Sequence, residues 1–280
     1  MNDQDWLAFL KWALPQLELR WEGFRKVRGQ ICKRIKRRMV DLGLANLAAY
    51  RSRLEGDPGE WRLLDECCRV TISRFFRDQA VFDCLGRHVL PEIAARAGTQ
   101  GRDVNVWSAG CASGEEPYTL KVLWDLELAH SLSDVAINCV ATDIDARMLA
   151  RAQSACYELS SLRELPPHLL EQAFIHSGTQ YCLKTRHREG VSILKQDVRS
   201  EAPAAWFDLI LCRNLAFTYF APRLQSKILG RMLAQLAPDG YLVLGSHEHL
   251  PGEFSTLVAL SEFPQILKKT THSGAAIATF

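Results

Sequence analysis

The stretch that decides the fold runs Val106-Trp107-Ser108-Ala109-Gly110-Cys111-Ala112-Ser113-Gly114-Glu115-Glu116-Pro117-Tyr118. Its first residues are apolar and predict a short buried strand. The two glycines that follow allow unusual backbone angles and a close approach by a ligand. The acids and the proline after the second glycine predict the start of a helix.

The charge of this glycine loop distinguishes between cofactors. A dinucleotide would place its pyrophosphate at the helix N-terminus, where Glu115 and Glu116 would repel it. The same acids suit a cationic group such as the ammonium of an amino acid, which favours S-adenosylmethionine over a nicotinamide cofactor. The plainer alternative, a tight turn whose acids complement the helix dipole, stays open at this point.

A second motif, Val140-Ala141-Thr142-Asp143-Ile144-Asp145, ends the next apolar strand. An acid there, roughly 20–30 residues past a glycine loop, is placed to hydrogen-bond ribose hydroxyls. Asp143 is the candidate for that role, and Asp145 is expected to cap the following helix. Together the two motifs predict an adenosine-type cofactor on a doubly wound sheet.

Strands and helices alternate through the C-terminal part of the chain, which predicts an α/β domain with a mostly parallel sheet covered on both faces. Pro238-Asp239-Gly240 predicts a turn before the last strand of this series. Residues 176–194 interrupt the alternation and predict a small β-hairpin excursion, at about 174–194, outside the sheet. Before Gly98 the apolar residues follow helical spacing. We therefore expect a small all-α N-terminal domain with its linker helix over 1–97 and a cofactor-binding α/β domain over 98–280.

Composition narrows the class of protein. Of the 280 residues, 48% are hydrophobic and 24% are charged, which excludes disordered and collagen-like chains. No segment approaches the roughly 20 apolar residues that span a bilayer, and no basic start precedes an apolar run, so we expect a cytoplasmic protein.

The cysteines and histidines give no sign of a metal site. Nine cysteines include no CxxC pair, and we expect most of them to be small reduced core residues. His247 and His249 flank Glu248 without the spacing of metal ligands on a helix, so no metal is expected.

Four motifs occur in order along the chain: Thr71-Ile72-Ser73-Arg74-Phe75-Phe76-Arg77, Ser108 to Tyr118 as quoted above, Ala141-Thr142-Asp143-Ile144-Asp145, and Cys212-Arg213-Asn214. In this order and spacing, over about 24–250, they resemble the CheR-type chemotaxis receptor methyltransferases, which are protein-glutamate O-methyltransferases. The resemblance implies a class I methyltransferase-like doubly wound sheet. It also implies methyl transfer from S-adenosylmethionine to glutamate side-chain carboxylates of a chemoreceptor, with S-adenosylhomocysteine as the product.

The resemblance further implies roles for the matching positions. Arg77 would lie near the transferred methyl group, and Tyr219 would face the reaction centre, with Phe217 as the neighbouring alternative. Glu116 would bind the amino group of the methionine moiety. The full set of implied cofactor-binding residues is Thr71, Ser73, Arg77, Gly110, Glu116, Asp143, Asp197, Val198, Arg213 and Asn214. Within this set, Asp143 is assigned to the ribose and Asp197 with Val198 to the adenine.

The net charge of +2 conceals a basic segment near the N-terminus. Its residues are Arg25, Lys26, Arg28, Lys33, Arg34, Lys36, Arg37 and Arg38. They could meet an acidic partner, and the resemblance implies the glutamate-rich methylation helices of a chemoreceptor; the alternative is a solvated basic face. We expect a monomer that binds no nucleic acid and inserts into no membrane. The short excursion argues against docking on a receptor tail peptide.

Three other functions compete with this one. The first is a methyltransferase of the same fold with a non-receptor acceptor. The second is a non-catalytic S-adenosylmethionine-binding signalling module. The third, a nicotinamide oxidoreductase, is disfavoured by the paired acids and by the lack of a GxGxxG motif.

Overall fold

The computed structural model describes residues 2–130, 135–252 and 254–270. The chain divides into two units, one comprising Met1–Val70 with Leu215–Gln225 and the other Thr71–Asn214 with Ser226–Phe280. This division differs from the boundary expected at residues 97 and 98. The physical reason is that the helix ending at Thr99 buries Ile93 and Ala97 in the core of the second unit.

The first unit is helical. Its helices are α1 (Asp3–Gln16), α2 (Trp21–Phe24), α3 (Arg28–Asp41), α4 (Leu47–Gly56) and α5 (Pro58–Cys68). Asn2 and Asp5 form a capping box at the start of α1. On α3, Ile31, Ile35 and Met39 are buried, because their spacing places them on one face of the helix.

A buried ion pair joins α3 to α5. The guanidinium of Arg38 donates to both carboxylate oxygens of Glu60, at 2.9 and 2.7 Å, and the Tyr50 hydroxyl donates to the same carboxylate at 3.0 Å. Glu60 is 1% exposed. The hydrogen bond from Arg38 lowers the pKa of Glu60 below its ordinary value. Arg38, one of the residues expected on the basic docking face, is therefore half-buried and paired within this unit.

We predict that Glu60→Ala lowers the free energy of unfolding by about 3 kcal/mol at neutral pH, because it leaves Arg38 without its partner. The pKa of Glu60 is lower in the folded state, so this stability is present above the unfolded pKa and is lost as pH falls through the folded pKa. Urea unfolding at several pH values measures both effects. Glu55→Ala, which removes an exposed ion pair with Arg51, should cost less than about 1 kcal/mol; equal losses in the two variants would contradict the prediction.

The second unit alternates helices and strands. Its helices are α6 (Gln79–Cys84), α7 (Leu90–Thr99), α8 (Glu115–Leu123), α9 (Ala146–Ser154) and α10 (Pro167–Ala173). Two further helices are α11 (Ala216–Tyr219), which lies in the first unit, and α12 (Pro222–Gln235), which begins there. The strands are β1 (Val104–Ala109), β2 (Ile137–Asp143), β3 (Cys156–Tyr157), β4 (Phe174–Ser177), β5 (Gln180–Leu183), β6 (Val191–Lys195), β7 (Phe207–Cys212), β8 (Leu236–Leu244), β9 (Leu257–Ala259) and β10 (Ile266–Lys269).

The main sheet has seven strands in the order β6-β2-β1-β7-β8-β10-β9. The first five are parallel, and β10 runs antiparallel to both of its neighbours. All six residues of β7 are buried, as expected for a parallel strand covered on both faces. The strand order reverses at β1, so a crevice for a ligand forms at the carboxyl ends of β1 and β7. The predicted α/β class and its mostly parallel sheet are confirmed.

The β-excursion is smaller than the sequence indicated. A separate sheet with the order β3-β5-β4 contains the hairpin of β4 and β5. Val191–Lys195, which was expected to belong to the excursion, instead pairs in parallel with β2 at the edge of the main sheet. The turn expected at residues 238–240 is likewise an irregularity within β8, where Asp239 has φ +57°.

Two cysteines differ from the expectation of reduced core residues. Cys156 and Cys182 oppose each other across β3 and β5 and form a disulfide. Cross-strand register brings them together, and this pairing cannot be read from their separation of 26 residues. Cys84, Cys139 and Cys212 are buried and lie outside any disulfide, in agreement with the expectation.

Candidate cofactor and active site

The glycine loop, residues 110–114, follows the carboxyl end of β1 and is hydrogen-bonded to the end of β2. The N–H groups of Gly110 and Cys111 both donate to the carbonyl oxygen of Thr142, at 2.8 and 2.9 Å. Gly110 has φ +82° and Gly114 has φ +88°, a region that favours glycine. At Gly114 a Cβ atom would also lie 3.0 Å from the Cβ atom of Ala152. The loop therefore needs glycine both for its backbone angles and for its packing.

Asp143 fixes the same loop from the second strand. One of its carboxylate oxygens accepts the N–H of Ala112 at 2.9 Å, and the other accepts the N–H of Asp145 at 2.8 Å. Asp145 in turn caps α9 by accepting the N–H groups of Arg147 and Met148. The carboxylate of Asp143 therefore lies beside the glycine loop, at the position where the sequence predicted a contact with the ribose.

Glu116 is an almost enclosed carboxylate at the start of α8, with a side chain that is 14% exposed. It accepts the Ser108 hydroxyl at 2.7 Å and a longer hydrogen bond of 3.3 Å from Arg213. Burial raises the pKa of Glu116 above its ordinary value, and the opposing influence of Arg213 does not cancel that effect. The contact with Arg213 therefore offsets only part of the cost of burying the charged carboxylate.

Arg213, at the end of β7, connects three parts of the sequence. Its side chain is 3% exposed and donates to Asp78 at 2.6 Å, to the carbonyl oxygen of Arg77 at 2.8 Å and to Glu116. Its guanidinium also lies over the ring of Phe82, 5.1 Å from the centroid. Sequence reasoning missed Asp78, which is recognisable only once it is seen to face Arg213.

The segment before α6 holds an unusual backbone. Phe76 has φ +54° and Asp78 has φ +64°, values that are uncommon for residues other than glycine. The N–H of Phe76 donates to the hydroxyl of Thr119 at 3.2 Å. The Arg77 guanidinium donates to the carbonyl oxygen of Ile72 at 2.8 Å. Arg213 thus hydrogen-bonds both the Glu116 carboxylate and the backbone of Arg77.

The other sequence-predicted residues lie along the same unit. Thr71 and Ser73 are half-buried in the extended segment before Arg77. Asp197 accepts the N–H and the guanidinium Nε of Arg199, at 2.9 and 3.0 Å, so this carboxylate is already paired. Val198 is buried.

Asn214 ends β7 in the left-handed conformation, with φ +55°. Its N–H donates to Glu248 at 2.7 Å, and the same carboxylate oxygen accepts the N–H of Gly245 at 2.7 Å. Glu248 is buried, whereas His247 and His249 are exposed. Among the described residues, no group of three or more His, Cys, Asp or Glu side chains could hold a metal ion. Glu248 therefore acts on the backbone at the ends of β7 and β8, a role that the sequence did not reveal.

Tyr219 and Phe217 lie in the first unit, on α11. Phe217 is fully buried, whereas Tyr219 is only partly buried and packs its ring on Phe24, with the centroids 5.0 Å apart. Of the two candidates, only Tyr219 leaves side-chain surface that another molecule could reach.

The residues at the carboxyl ends of β1, β2 and β7 fit S-adenosylmethionine. Arg213 divides its hydrogen bonds between Asp78, at 2.6 Å, and Glu116, at 3.3 Å, so its contact with Glu116 is the longer one. An ammonium could add a closer charged partner to Glu116. The Nε atom of Arg213 is also buried without a hydrogen-bond partner in the described part of the chain. Glu116 would hold the amino-acid end of the cofactor, and the glycine loop with Asp143 would hold its adenosine end.

A doubly wound sheet with these features defines an S-adenosylmethionine-dependent methyltransferase. Comparison with known families then narrows the class: the model of the CheR methyltransferase, SAM binding domain, matches residues 71–265, and the chain belongs to this family. Its cofactor is S-adenosylmethionine, and the predicted family membership is confirmed.

Individual relatives agree with this assignment. A probable chemotaxis protein methyltransferase of Rhizobium etli is 32% identical over 80% of this chain and 85% of its own. The chemotaxis protein methyltransferase of Salmonella typhimurium is 31% identical over 84% and 83%, respectively. An uncharacterized 104.1 kDa protein of Rhodobacter capsulatus is 31% identical over 86% of this chain, which spans only 25% of that protein. In the described residues, no helix has the length and apolar character needed to cross a membrane.

We predict that Glu116→Gln weakens the binding of S-adenosylhomocysteine roughly 30-fold, because the ammonium loses its buried counter-charge. Isothermal titration calorimetry measures the loss, and Glu127→Gln, at a partly exposed position on the same helical run, should bind normally. An analogue of S-adenosylhomocysteine without the amino group should bind both proteins equally. If Glu116→Gln discriminated against that analogue as strongly as the unmodified protein does, the assignment would be wrong.

The raised pKa of Glu116 also predicts a pH dependence. Protonation removes the charge that pairs with the ammonium, so affinity for S-adenosylhomocysteine should fall as pH falls through this raised pKa. Titrations across the acidic range should show the decrease in the unmodified protein and a weaker decrease in Glu116→Gln. Identical pH profiles would exclude Glu116 as the titrating group.

Proposed function

We propose that the chain transfers a methyl group from S-adenosylmethionine to glutamate side chains of a chemoreceptor, giving glutamyl methyl esters and S-adenosylhomocysteine. The observation that carries the proposal is that Arg213 hydrogen-bonds both the buried carboxylate of Glu116 and the backbone carbonyl of Arg77. In this proposal the Glu116 carboxylate serves the cofactor and the Arg77 guanidinium serves an anionic acceptor. The names of the Rhizobium etli and Salmonella typhimurium relatives support the pathway.

This chemistry demands little of the protein beyond orientation. A glutamate side chain has an unperturbed pKa near 4.3, so it is ionised at neutral pH and needs no general base. S-adenosylmethionine supplies an electrophilic methyl group. The remaining task is to line up the acceptor oxygen with that group. We assign Arg77 to the acceptor carboxylate and Tyr219 to its alignment.

Cofactor binding in this proposal uses the residues expected from the sequence, namely Thr71, Ser73, Arg77, Gly110, Glu116, Asp143, Asp197, Val198, Arg213 and Asn214. The structural support for these assignments differs from residue to residue. Glu116 is buried with only a long contact to Arg213, and Asp143 is hydrogen-bonded to the glycine loop. Asp197 already pairs with Arg199, so the support for its adenine contact is weaker.

We predict that Arg77→Ala lowers the methyl-transfer rate about 100-fold, because the acceptor carboxylate loses its orienting charge. The rate is measured with methyl-labelled S-adenosylmethionine and receptor-containing membranes. Arg77→Lys should recover part of the rate, since it restores the charge without the planar fork. Arg74→Ala, which removes an exposed ion pair with Glu164, is the matched control. A near-normal rate for Arg77→Ala would refute the assigned role.

The basic segment supports docking of an acidic receptor helix, although fewer of its residues are available than the sequence suggested. Arg34 donates to the carbonyl oxygens of Cys67 and Arg69, and Arg38 pairs with Glu60. Arg28 is in an ion pair with Asp3. The exposed members are Arg25, Lys26, Lys33, Lys36 and Arg37. Lys33, Lys36 and Arg37 are three and four residues apart on α3 and so lie on one face of that helix.

We predict that reversing the charge of Lys33, Lys36 and Arg37 to Glu raises the KM for receptor membranes at least 10-fold at low salt, because like charges now meet at the interface. The effect should shrink as salt is added. Affinity for S-adenosylhomocysteine should not change. Reversal of Arg53 and Arg62, two exposed arginines of the same unit, serves as the control; an equal increase in KM there would argue against a specific docking face.

The central experiment tests the product. The protein is incubated with methyl-labelled S-adenosylmethionine and membranes of the organism that encodes it, and the labelled protein is treated with alkali. Label released as methanol supports carboxylate methylation of a protein in those membranes. Stable label on another molecule would favour a non-receptor acceptor. No label, together with tight binding of S-adenosylhomocysteine, would favour a non-catalytic signalling module.

A further inference from the structure

The segment that carries Tyr219 is held by the N-terminal helical region. This tyrosine segment, Leu215–Gln225, directly follows Asn214 in the chain yet belongs to the first unit. Leu19 and Phe220 form an antiparallel bridge. On either side of it, the N–H of Arg20 donates to the Tyr219 carbonyl at 2.9 Å and the N–H of Ala221 donates to the Glu18 carbonyl at 2.7 Å. The backbone of Tyr219 is therefore paired with residues some 200 positions earlier in the chain.

The Arg20 side chain adds two more hydrogen bonds to the same segment. Its Nε donates to the carbonyl oxygen of Thr218 at 2.9 Å and its Nη2 donates to that of Phe217 at 2.5 Å. These carbonyls lie at the end of the four-residue helix α11, where no further helical N–H groups are available to them. The planar fork of an arginine matches two adjacent acceptors in a fixed geometry. Arg20 thus fixes the two peptide groups that immediately precede Tyr219.

Gly23 and Phe24 also pack against the tyrosine segment. A Cβ atom on Gly23 would lie 2.2 Å from the carbonyl oxygen of Thr218 and 2.9 Å from its carbonyl carbon. Both are backbone atoms, so any larger residue at position 23 must displace the tyrosine segment. Phe24 packs against the Tyr219 ring. The position of the tyrosine side chain is consequently determined by α2 and the residues just before it.

We propose that Arg20 and Gly23 are positioning residues for methyl transfer, which act by fixing the backbone at residues 217–219 and thereby the Tyr219 hydroxyl. This inference rests on the alignment role proposed above for Tyr219. It separates Arg20 from the basic residues assigned to receptor docking. A displacement of about 1 Å in an aligning group can cost about 100-fold in rate, so backbone contacts that fix residues 217–219 protect the rate of the reaction.

The test uses Arg20→Met and Gly23→Ala in the full-length protein, with receptor membranes as the acceptor. Each variant should lower kcat by about 10- to 100-fold, because the tyrosine segment shifts. The dissociation constant for S-adenosylhomocysteine should stay within about 3-fold, because Glu116 and Arg213 lie in the other unit. The kcat of Arg20→Lys should lie between those of Arg20→Met and the unmodified protein, because an ammonium donates hydrogen bonds without the planar fork of arginine. Normal kcat in both main variants would overturn the proposal.

Two controls separate positioning from general damage. Arg53→Ala removes an arginine whose ion pair with Asp57 is exposed, and Gly56→Ala adds a methyl group where no atom lies within 4 Å. Both should retain normal kcat. A variant that merely unfolds would lose kcat and cofactor binding together, in proportion to the folded fraction seen by circular dichroism, and that pattern in both Arg20→Met and Gly23→Ala would count against positioning.

A double-mutant cycle with Tyr219→Phe identifies the residue through which Arg20 acts. If Arg20 positions the hydroxyl, Arg20→Met should lower kcat less than about 3-fold in the Tyr219→Phe background. If the reductions in kcat caused by Arg20→Met and by Tyr219→Phe multiply instead, the proposal is wrong although Tyr219 keeps its role. If Tyr219→Phe alone leaves kcat unchanged, the proposed role of Tyr219 fails and the positioning proposal fails with it.

Discussion

The rest of the proposed cofactor site depends on the hydrogen bonds made by the buried guanidinium of Arg213. It lies at the end of β7, and its hydrogen bonds reach the backbone of Arg77, the carboxylate of Asp78 and the carboxylate of Glu116. A buried cation is costly unless it is paired, so these contacts stabilise the buried guanidinium. The same guanidinium is shared by two carboxylates, and its contact with Glu116 is the longer one. The groups that satisfy Arg213 are therefore also those proposed above to meet the cofactor.

Two further carboxylates, those of Asp143 and Glu248, hold the backbone at the ends of the strands. Asp143 holds the glycine loop through the N–H of Ala112, and Glu248 holds the N–H of Asn214 where the chain leaves β7 in a left-handed conformation. Both carboxylates accept hydrogen bonds from backbone groups that no regular ladder would satisfy. They tie the loops at the carboxyl ends of β1 and β7 to neighbouring side chains. Orientation of the reacting groups, which such contacts favour, is the main demand of the methyl transfer proposed above.

The helical unit combines basic residues with different tasks. Arg38 stabilises the interior through Glu60, and Arg34 ties α3 to the end of α5 through carbonyl groups. Arg20 holds the tyrosine segment. Only the exposed lysines and arginines of the segment remain for an acidic partner. Charge alone therefore overstates the docking surface, because an arginine fork binds carbonyls and carboxylates within the protein as readily as it binds those of a partner.

The sequence by itself determined the α/β class, the glycine loop, the cap at Asp145 and the family, because these depend on residues close together in the chain and on periodicity. It also named Arg77, Glu116 and Arg213 as candidates, although their assigned roles still await the experiments. It did not reveal Asp78 as the partner of Arg213, the burial of Glu248 between two exposed histidines, or the pairing of Cys156 with Cys182. Strand β6 was assigned to the wrong sheet, since its half-buried alternation fits either sheet. Only the tertiary structure decided these features, because each depends on contacts between segments that are distant in sequence, and local propensity carries no information about which distant groups will meet.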